Sequence, residues 1–155
     1  MDNAASKSTS CLICPAGYIC SCSYPVTATV CVAVFDKCPA GEHCPEGTWK
    51  SQAGVITGKV DCNPLGTEGF YCPEATPTKI PCNAGHYCDL NKMTALDSGK
   101  KCTKGYVCIS NSAVAAPTDG VKGKKCPKGH YCPEGAEVEI PCPLGYDGAT
   151  EGLSE

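Results

Sequence analysis

Cysteine is the residue whose number and spacing could carry chemistry in this chain. Sixteen of the 155 residues are cysteine, and thiols can bind metals, act as nucleophiles or oxidise in pairs to disulfides. Cys11-Leu-Ile-Cys14 has the spacing of a zinc ligand pair, but no second pair with that spacing follows. A zinc ribbon requires two such pairs, so we expect disulfide cysteines and no metal ion.

Cysteine catalysis is not expected. A nucleophilic thiol has to be unpaired and close to a base, and the cysteine count is even. His43, His86 and His130 stand just before repeated cysteines, where other copies of the motif carry Tyr or Ile, so we interpret them as packing residues. The chain also lacks a glycine-rich phosphate loop and a Gly-x-Ser-x-Gly sequence. We therefore expect no enzyme and no cofactor.

Two short segments, Asp61-Cys-Asn63 and Asp89-Leu-Asn91, alternate side chains that carry oxygen ligands. The Gly and Glu that complete a calcium loop do not follow at the required offsets. Calcium binding therefore stays open as an alternative, although neither segment completes a calcium-binding loop.

The composition predicts a protein that is held together by cross-links. Aromatic residues make up only 6% of the chain, which contains 13 Pro and 17 Gly. A core of ordinary size needs more large apolar side chains, so disulfides have to supply the missing stability. A cysteine content of this kind is typical of secreted proteins. We expect an extracellular, secreted or cell-surface protein with all or nearly all of its cysteines oxidised.

Charge and hydropathy exclude two classes of partner. The net charge is −3, and all 13 basic residues are Lys. Arginine makes the bidentate contacts to phosphate and guanine, so its absence argues against nucleic acid. The longest uncharged segment, residues 8–35, is interrupted by Pro15, Gly17 and Pro25 and cannot span a membrane.

The first residues lack the basic and apolar regions of a signal peptide. The extracellular prediction therefore assumes a processed or partial chain. A cytosolic protein with reduced thiols is the alternative.

One heptapeptide recurs along the chain: Cys, often Pro, any residue, Gly, two variable residues and Cys. Complete copies begin at Cys14, Cys38, Cys82, Cys102 and Cys126, a copy with four inserted residues begins at Cys62, and Cys142 starts a copy without a second cysteine. Residues 71–82 also align with residues 131–142. The chain is thus an array of units of roughly 20 residues, which we number 1 to 7 in chain order.

Each unit contains a predictable turn. Proline after the first cysteine fixes φ near −65°, and the Gly that follows can adopt positive φ. The ring before the second cysteine is expected to pack over a neighbouring disulfide, because no single unit can bury it. Residues 26–35 are rich in β-branched side chains and predict a strand or hairpin arm, whereas residues 93–97 could give at most one helical turn.

These observations predict a small disulfide-rich fold, an elongated array of loop and short β-hairpin units with little helix. We divide the chain into an N-terminal tail (1–10), an N-terminal cysteine-rich unit with one strand or hairpin (11–37), tandem repeats (38–141) and an incomplete terminal repeat (142–155).

The pattern Cys-Pro-x-Gly-x-Tyr-Cys, followed by Pro-Glu-Gly and by Ile-Pro-Cys-Pro-x-Gly-Tyr, occupies residues 126–146. It resembles the ephrin-receptor-like cysteine-rich repeat, and it is similar to modules of tumour-necrosis-factor receptors and to arrays in surface and matrix proteins of protists. The resemblance covers residue 11 to about residue 153. It implies an extracellular protein with a structural, adhesive or ligand-binding role.

The central units depart from this pattern. Proline is missing after Cys62, Cys82 and Cys102, and the Gly after the second cysteine is kept only as Gly47 and Gly135. We expect the central units to differ in geometry.

Two regular pairings of the cysteines are possible. In the first, each motif closes on itself, from Cys14–Cys20 to Cys126–Cys132, which leaves Cys142 without a local partner. In the second, each second cysteine pairs with the next first cysteine: Cys20–Cys38, Cys44–Cys62, Cys72–Cys82, Cys88–Cys102, Cys108–Cys126 and Cys132–Cys142. The remaining Cys11, Cys14, Cys22 and Cys31 would then form two more bonds.

The sequence favours the second pairing. It gives Cys142 a local partner, and it places the segments of variable length inside the closed loops. Loop closure entropy grows only logarithmically with length, so these loops tolerate the variation.

No Asn-x-Ser/Thr sequence is present. Any glycan would be O-linked, and Thr76, Thr78 and Thr118 beside prolines are the candidate acceptors.

The sequence predicts a structural component of an extracellular filament, surface coat or adhesive matrix whose main partners are copies of itself. In this hypothesis residues 145–155 dock onto the N-terminal region of the next chain. Other extracellular proteins or glycans are further candidate partners. The alternatives are a receptor-like ectodomain that binds a protein ligand and a secreted inhibitor or toxin.

Overall fold

The computed structural model describes residues 13–23, 32–51, 53–65, 68–90, 92–96 and 100–155. These residues form short strands and turns and contain no helix, which confirms the predicted small disulfide-rich fold of loops and hairpins. The helical turn considered for residues 93–97 is not formed over 93–96, and residue 97 lies outside the described residues. The strands are β1 Tyr18–Ser23, β2 Val32–Lys37, β3 Glu42–His43, β4 Trp49–Lys50, β5 Ile56–Thr57, β6 Val60–Asp61, β7 Phe70–Tyr71, β8 Ile80–Pro81, β9 Tyr106–Cys108, β10 Gly123–Lys125, β11 His130–Tyr131 and β12 Ile140–Pro141.

The heptapeptide forms the predicted turn. In unit 5 the amide of Tyr106 donates to the carbonyl of Thr103 at 3.1 Å, and the equivalent bond closes the turn of units 1, 2, 4, 6 and 7. The motif Gly of all seven units has φ between 70° and 93°. Only glycine adopts this left-handed backbone without strain, which explains its presence in every copy.

Each unit then pairs with the start of the following one. The two residues before the second cysteine form an antiparallel ladder with the two residues before the next motif. This ladder appears as β1 with β2, β3 with β6, β7 with β8, β9 with β10 and β11 with β12. Unit 4 makes the same pairing as a single bridge, His86 to Lys101.

Four further backbone hydrogen bonds join neighbouring units. Between units 5 and 6 they run from the amide of Gly105 to the carbonyl of Cys132, from Gly135 to Cys102, from Cys126 to Gly105 and from Cys108 to Ala136, at 2.8 to 3.1 Å. Equivalent bonds recur along the chain, so the array is held by a repeated set of main-chain contacts.

Each unit also packs against the next but one. A Cβ atom on Gly17, in unit 1, would clash with the carbonyl oxygen of Ala75, in unit 3. Gly41, Gly69, Gly85 and Gly105 meet the backbone of units 4 to 7 in the same way. The motif glycines therefore allow a close approach of backbones as well as the turn.

The core clusters of the described residues consist of a disulfide with apolar side chains packed around it. Ile19 packs on Cys38 and Cys44, Tyr71 on Cys82 and Cys88, and Val107 on Cys126 and Cys132. In each case the side chain directly before a second cysteine packs on the disulfide of the following unit. The predicted ring packing is confirmed at Tyr71, whereas Ile19 and Val107 take the same place in units 1 and 5.

The N-terminal units carry the only sheet of more than two strands among the described residues, in the order β2-β1-β4-β5. Strand β1 extends beyond the usual two-residue arm and pairs with β2 over Tyr18 to Ser23. Of the predicted strand at residues 26–35, the described part, residues 32–35, lies in β2.

Candidate functional site: disulfide framework and exposed surfaces

Six disulfides close the motifs on themselves. The Cα atoms of each pair are 5.6 to 6.1 Å apart, within the range for a disulfide. The bonds are Cys14–Cys20, Cys38–Cys44, Cys62–Cys72, Cys82–Cys88, Cys102–Cys108 and Cys126–Cys132. Cys11 and Cys31 and the side chain of Cys22 lie outside the described residues.

The favoured pairing of second cysteine with next first cysteine is therefore wrong. The register of the arms explains why. Tyr131 faces Ile140 and His130 faces Pro141, so Cys142 falls opposite Gly129, to whose carbonyl its amide donates at 2.9 Å. Cys132 and Cys142 are thus offset along the ladder, whereas the turn within a motif brings its own two cysteines together.

Cys142 carries a free thiol that is partly exposed, contrary to the expectation of a Cys132–Cys142 bond. Gly148 stands where the second cysteine of unit 7 would be, six residues after Cys142. A Cβ atom on Gly148 would lie 3.1 Å from the Sγ atom of Cys142. Unit 7 has kept the fold of the motif and lost its cross-link.

Unit 3 replaces a backbone contact with a side chain. Asn63 is fully buried, and its Nδ2 atom donates to the carbonyls of Cys88 at 3.1 Å and Leu90 at 3.2 Å. Its Oδ1 atom accepts from the amide of Glu68 at 2.8 Å. In units 1, 2, 4 and 5 the amide of the motif Gly donates to the carbonyl of the next second cysteine, so Asn63 compensates for the four-residue insertion.

A buried carboxylate joins units 2 and 4. Glu42 is 6% exposed and forms ion pairs with Lys59 at 2.8 Å and Lys92 at 3.0 Å. Lys92 also pairs with Asp61 at 3.3 Å. Burial alone would raise the pKa of Glu42, but hydrogen bonds from the two lysines outweigh it and the pKa is lowered. The group is thus a structural ion cluster.

His43 occupies the packing position predicted for the three histidines. Its Nδ1 atom is buried without a hydrogen-bond partner among the described residues. Burial lowers the pKa of His43, and the positive charge of Lys79 lowers it further. Both effects favour the neutral form of the ring. His86 and His130 direct Nδ1 towards the carbonyls of Ala84 and Lys128, at 3.3 and 3.1 Å.

The sheet of units 1 and 2 presents two aromatic rings to solvent. Phe35 and Trp49 are both in register with Cys20, on opposite sides of it, and laterally paired residues point to the same face of a sheet. Their exposed fractions are 47% and 51%. Aromatic pairs of this kind are typical of surfaces that bind other molecules.

The candidate glycosylation sites differ in accessibility. Thr78 and Thr118 are exposed. Thr76 is buried, and its hydroxyl donates to the carbonyl of Pro73. The structure thus contradicts the prediction for Thr76, because its side chain closes a turn inside the array.

Within the described ranges, no three His, Cys, Asp or Glu side chains are grouped as metal ligands. Asp61 of the first considered calcium segment contacts Lys92, and Asp89 of the second contacts Lys100 at 2.6 Å. No membrane-spanning helix occurs among the described residues.

Two structural residues were missed in the sequence, although each had a signal. Gly148 lies at the spacing of the absent cysteine, and Asn63 follows the one first cysteine whose motif carries an insertion. Neither signal identifies the hydrogen bonds that these residues make, because those depend on the contact between units.

Comparison with protein-family models finds no match, and comparison with curated proteins finds no similar sequence. The resemblance to ephrin-receptor-like and tumour-necrosis-factor-receptor-like repeats therefore stays a prediction that is based on the motif.

Proposed function

We propose that this protein is a structural component of an extracellular filament, surface coat or adhesive matrix, formed by self-association of disulfide-stapled repeats. The proposal assigns it no catalytic role. Its main partners are copies of itself.

One observation carries this proposal. Each unit is joined to the next by a ladder or a single bridge and by recurring main-chain hydrogen bonds, so the chain is an array in which a unit contacts near neighbours. Such quasi-one-dimensional proteins offer long surfaces and add further units by the same contacts. This property suits a polymer or coat.

The extracellular location is supported by the disulfides. Six cross-links in the described residues would be reduced in a cytosol and persist in an oxidising compartment. A cytosolic protein with reduced thiols would lose most of the core, because the apolar side chains pack on these cystines.

Electron microscopy of the oxidised chain at increasing concentration tests the proposal. We expect unbranched filaments or extended oligomers above a threshold concentration. A chain that sediments as a monomer at all concentrations would contradict it.

A receptor-like ectodomain is the second candidate, and the row formed by Phe35 and Trp49 favours it. In that role the rings would contact a protein ligand. The double variant Phe35→Ala, Trp49→Ala would then abolish ligand capture. A structural polymer has no such ligand, so filament assembly of the same double variant is measured instead.

A further inference from the structure

In units 1 and 7 one arm of the antiparallel ladder has no partner among the described residues. At every junction from unit 1 to unit 7, the arm before a second cysteine pairs with the arm before the next first cysteine. In unit 7 the corresponding arm is Tyr146 and Asp147, and before unit 1 it includes Ile13. Neither arm is paired with another described residue.

Both unpaired arms are exposed. Ile13 is 68% exposed and Tyr146 is 76% exposed. Unpaired strand edges with apolar side chains are surfaces to which another chain can add.

The main-chain groups beside these arms are also complementary. In all six preceding units the carbonyl of the motif Gly accepts a hydrogen bond from the first cysteine of the next unit, as when the amide of Cys126 donates to Gly105 at 2.8 Å. The carbonyl of Gly145 accepts no such bond from the described residues, and the amide of Cys14 donates none to them. The two halves of a seventh junction are thus present in one chain.

The end of the array also has room for further units. Five motif glycines, from Gly17 to Gly105, have the backbone of the next unit but one against the place of a Cβ atom. At Gly129 and Gly145, no described atom lies within 4 Å of the position that a Cβ atom would occupy. In a continued array, units 1 and 2 of another copy would cover these glycines.

We propose that unit 7 of one copy joins unit 1 of a second copy by this ladder. Tyr146 then lies opposite Ile13 of the second copy, and the carbonyl of Gly145 accepts a hydrogen bond from the amide of Cys14. This junction rests on the proposed self-association and specifies its contact. It is heterologous, so repeated joining generates an open filament wherever the rotation between copies does not close a ring.

Site-directed cross-linking tests the register. By analogy with Cys126 and Gly105, Tyr146 and Ile13 form a non-hydrogen-bonded pair, whose Cα atoms lie about 4.5 Å apart, close enough for a disulfide. One chain carries Ile13→Cys, the other carries Tyr146→Cys, and both carry Cys142→Ser. After mixing and mild oxidation with glutathione, we expect a disulfide-linked heterodimer, with positions 13 and 146 joined in its peptide map.

Val138→Cys is the matched control for Tyr146→Cys. Val138 is equally accessible and lies between units 6 and 7, outside the arm. Cross-linking of position 146 at no more than the level of the control, in a protein that forms filaments, would overturn this junction and leave the proposed function standing. If neither the variants nor the unsubstituted chain forms filaments, and the variants do not cross-link, both this junction and the proposed function are overturned.

A second pair of variants needs no added thiol. Tyr146→Asp places a charge in the ladder and should raise the threshold concentration for assembly by up to about fivefold, the equivalent of one disrupted cross-strand pair. Leu144→Asp lies in the same turn at a position where units 5 and 6 carry Lys104 and Lys128, and it should leave the threshold unchanged. Equal effects of the two substitutions would indicate general apolar association and overturn the register.

Discussion

The amide of Gly129 donates a hydrogen bond of 2.7 Å to the carbonyl oxygen of Gly148. In units 2, 3, 5 and 6 the second cysteine accepts the equivalent bond from the preceding unit. Gly148 thus makes the main-chain contact of the missing cysteine, and unit 7 docks on unit 6 without a disulfide. The backbone contacts are therefore sufficient to define the unit.

Gly148→Ala should weaken the docking of unit 7. A Cβ atom at this position would lie 2.6 Å from the Cα atom of Gly129, so the two backbones would have to separate, at a cost of about 1–3 kcal/mol. Hydrogen exchange of the amides of Gly129 and Gly152 should become faster. Ala149→Ser, at the exposed neighbouring position, should leave both rates unchanged. If the amide of Gly129 exchanges at the same rate in Gly148→Ala as in the unsubstituted chain, the steric explanation is contradicted.

The disulfides and the free thiol should contribute differently to stability. Cys126→Ser with Cys132→Ser opens a short ring and should lower the free energy of unfolding by roughly 2 kcal/mol. Cys142→Ser should change it little, since its thiol is bonded to no cysteine that the structure describes. Urea denaturation checks both values. A peptide map that joins Cys132 to Cys142 would contradict the observed pairing directly.

Asn63→Ala should be strongly destabilising. It removes three hydrogen bonds and leaves the carbonyl of Cys88 and the amide of Glu68 without these partners, which predicts a loss of roughly 2–4 kcal/mol in the free energy of unfolding. Asn83 is the matched control, because it follows the first cysteine of unit 4 and is exposed. Asn83→Ala should cost less than about 0.5 kcal/mol, and similar losses at both positions would refute the compensating role of Asn63.

Ala75→Gly should stabilise the protein. Ala75 has φ of 61° at the position where units 2 and 6 carry Gly47 and Gly135, and a side chain disfavours this backbone. Relief of that strain should raise the free energy of unfolding by about 0.5–1 kcal/mol. Ala84→Gly, at a position without positive φ, should lower it. Thermal denaturation distinguishes the two signs, and a destabilised Ala75→Gly variant would count against the strain.

The stability of the fold should fall as the pH drops below about 6.5, the ordinary pKa of histidine. The pKa of His43 is lowered by burial and by Lys79, so the unfolded chain takes up a proton before the folded one does. This loss should stop once the pH passes below the folded pKa. His43→Gln should remove this component of the pH dependence of urea unfolding, and His130→Gln should retain it because His43 remains. An unchanged pH profile in His43→Gln would exclude the effect.

The local features of the fold could be predicted from the sequence. Positive φ at Gly105 follows from the turn that its motif requires, and the position of Tyr71 over the next disulfide follows from the need of a small unit to pack a large ring against its neighbour. These properties depend on residues within one unit or on its nearest neighbour.

The pairing of the cysteines could not be predicted in this way. It depends on the register of the arms, which places Cys142 opposite Gly129. The apparent need to give Cys142 a local partner was misleading, because a glycine at position 148 satisfies the backbone without one. The left-handed conformations of Ala75 and Asn111 were equally hidden, since contacts with the neighbouring unit impose them on residues that do not favour them.

The small size of each disulfide ring determines how the molecule would respond to a pulling force. A bond such as Cys102–Cys108 encloses only the turn of its own motif, and none of the disulfides between described cysteines bridges two units. Under tension, the hydrogen bonds of one junction can break while its neighbours hold, and the segment between Cys108 and Cys126 can extend to about 60 Å. The array would therefore lengthen in steps and dissipate mechanical work, while every disulfide ring stays closed and ready to guide refolding.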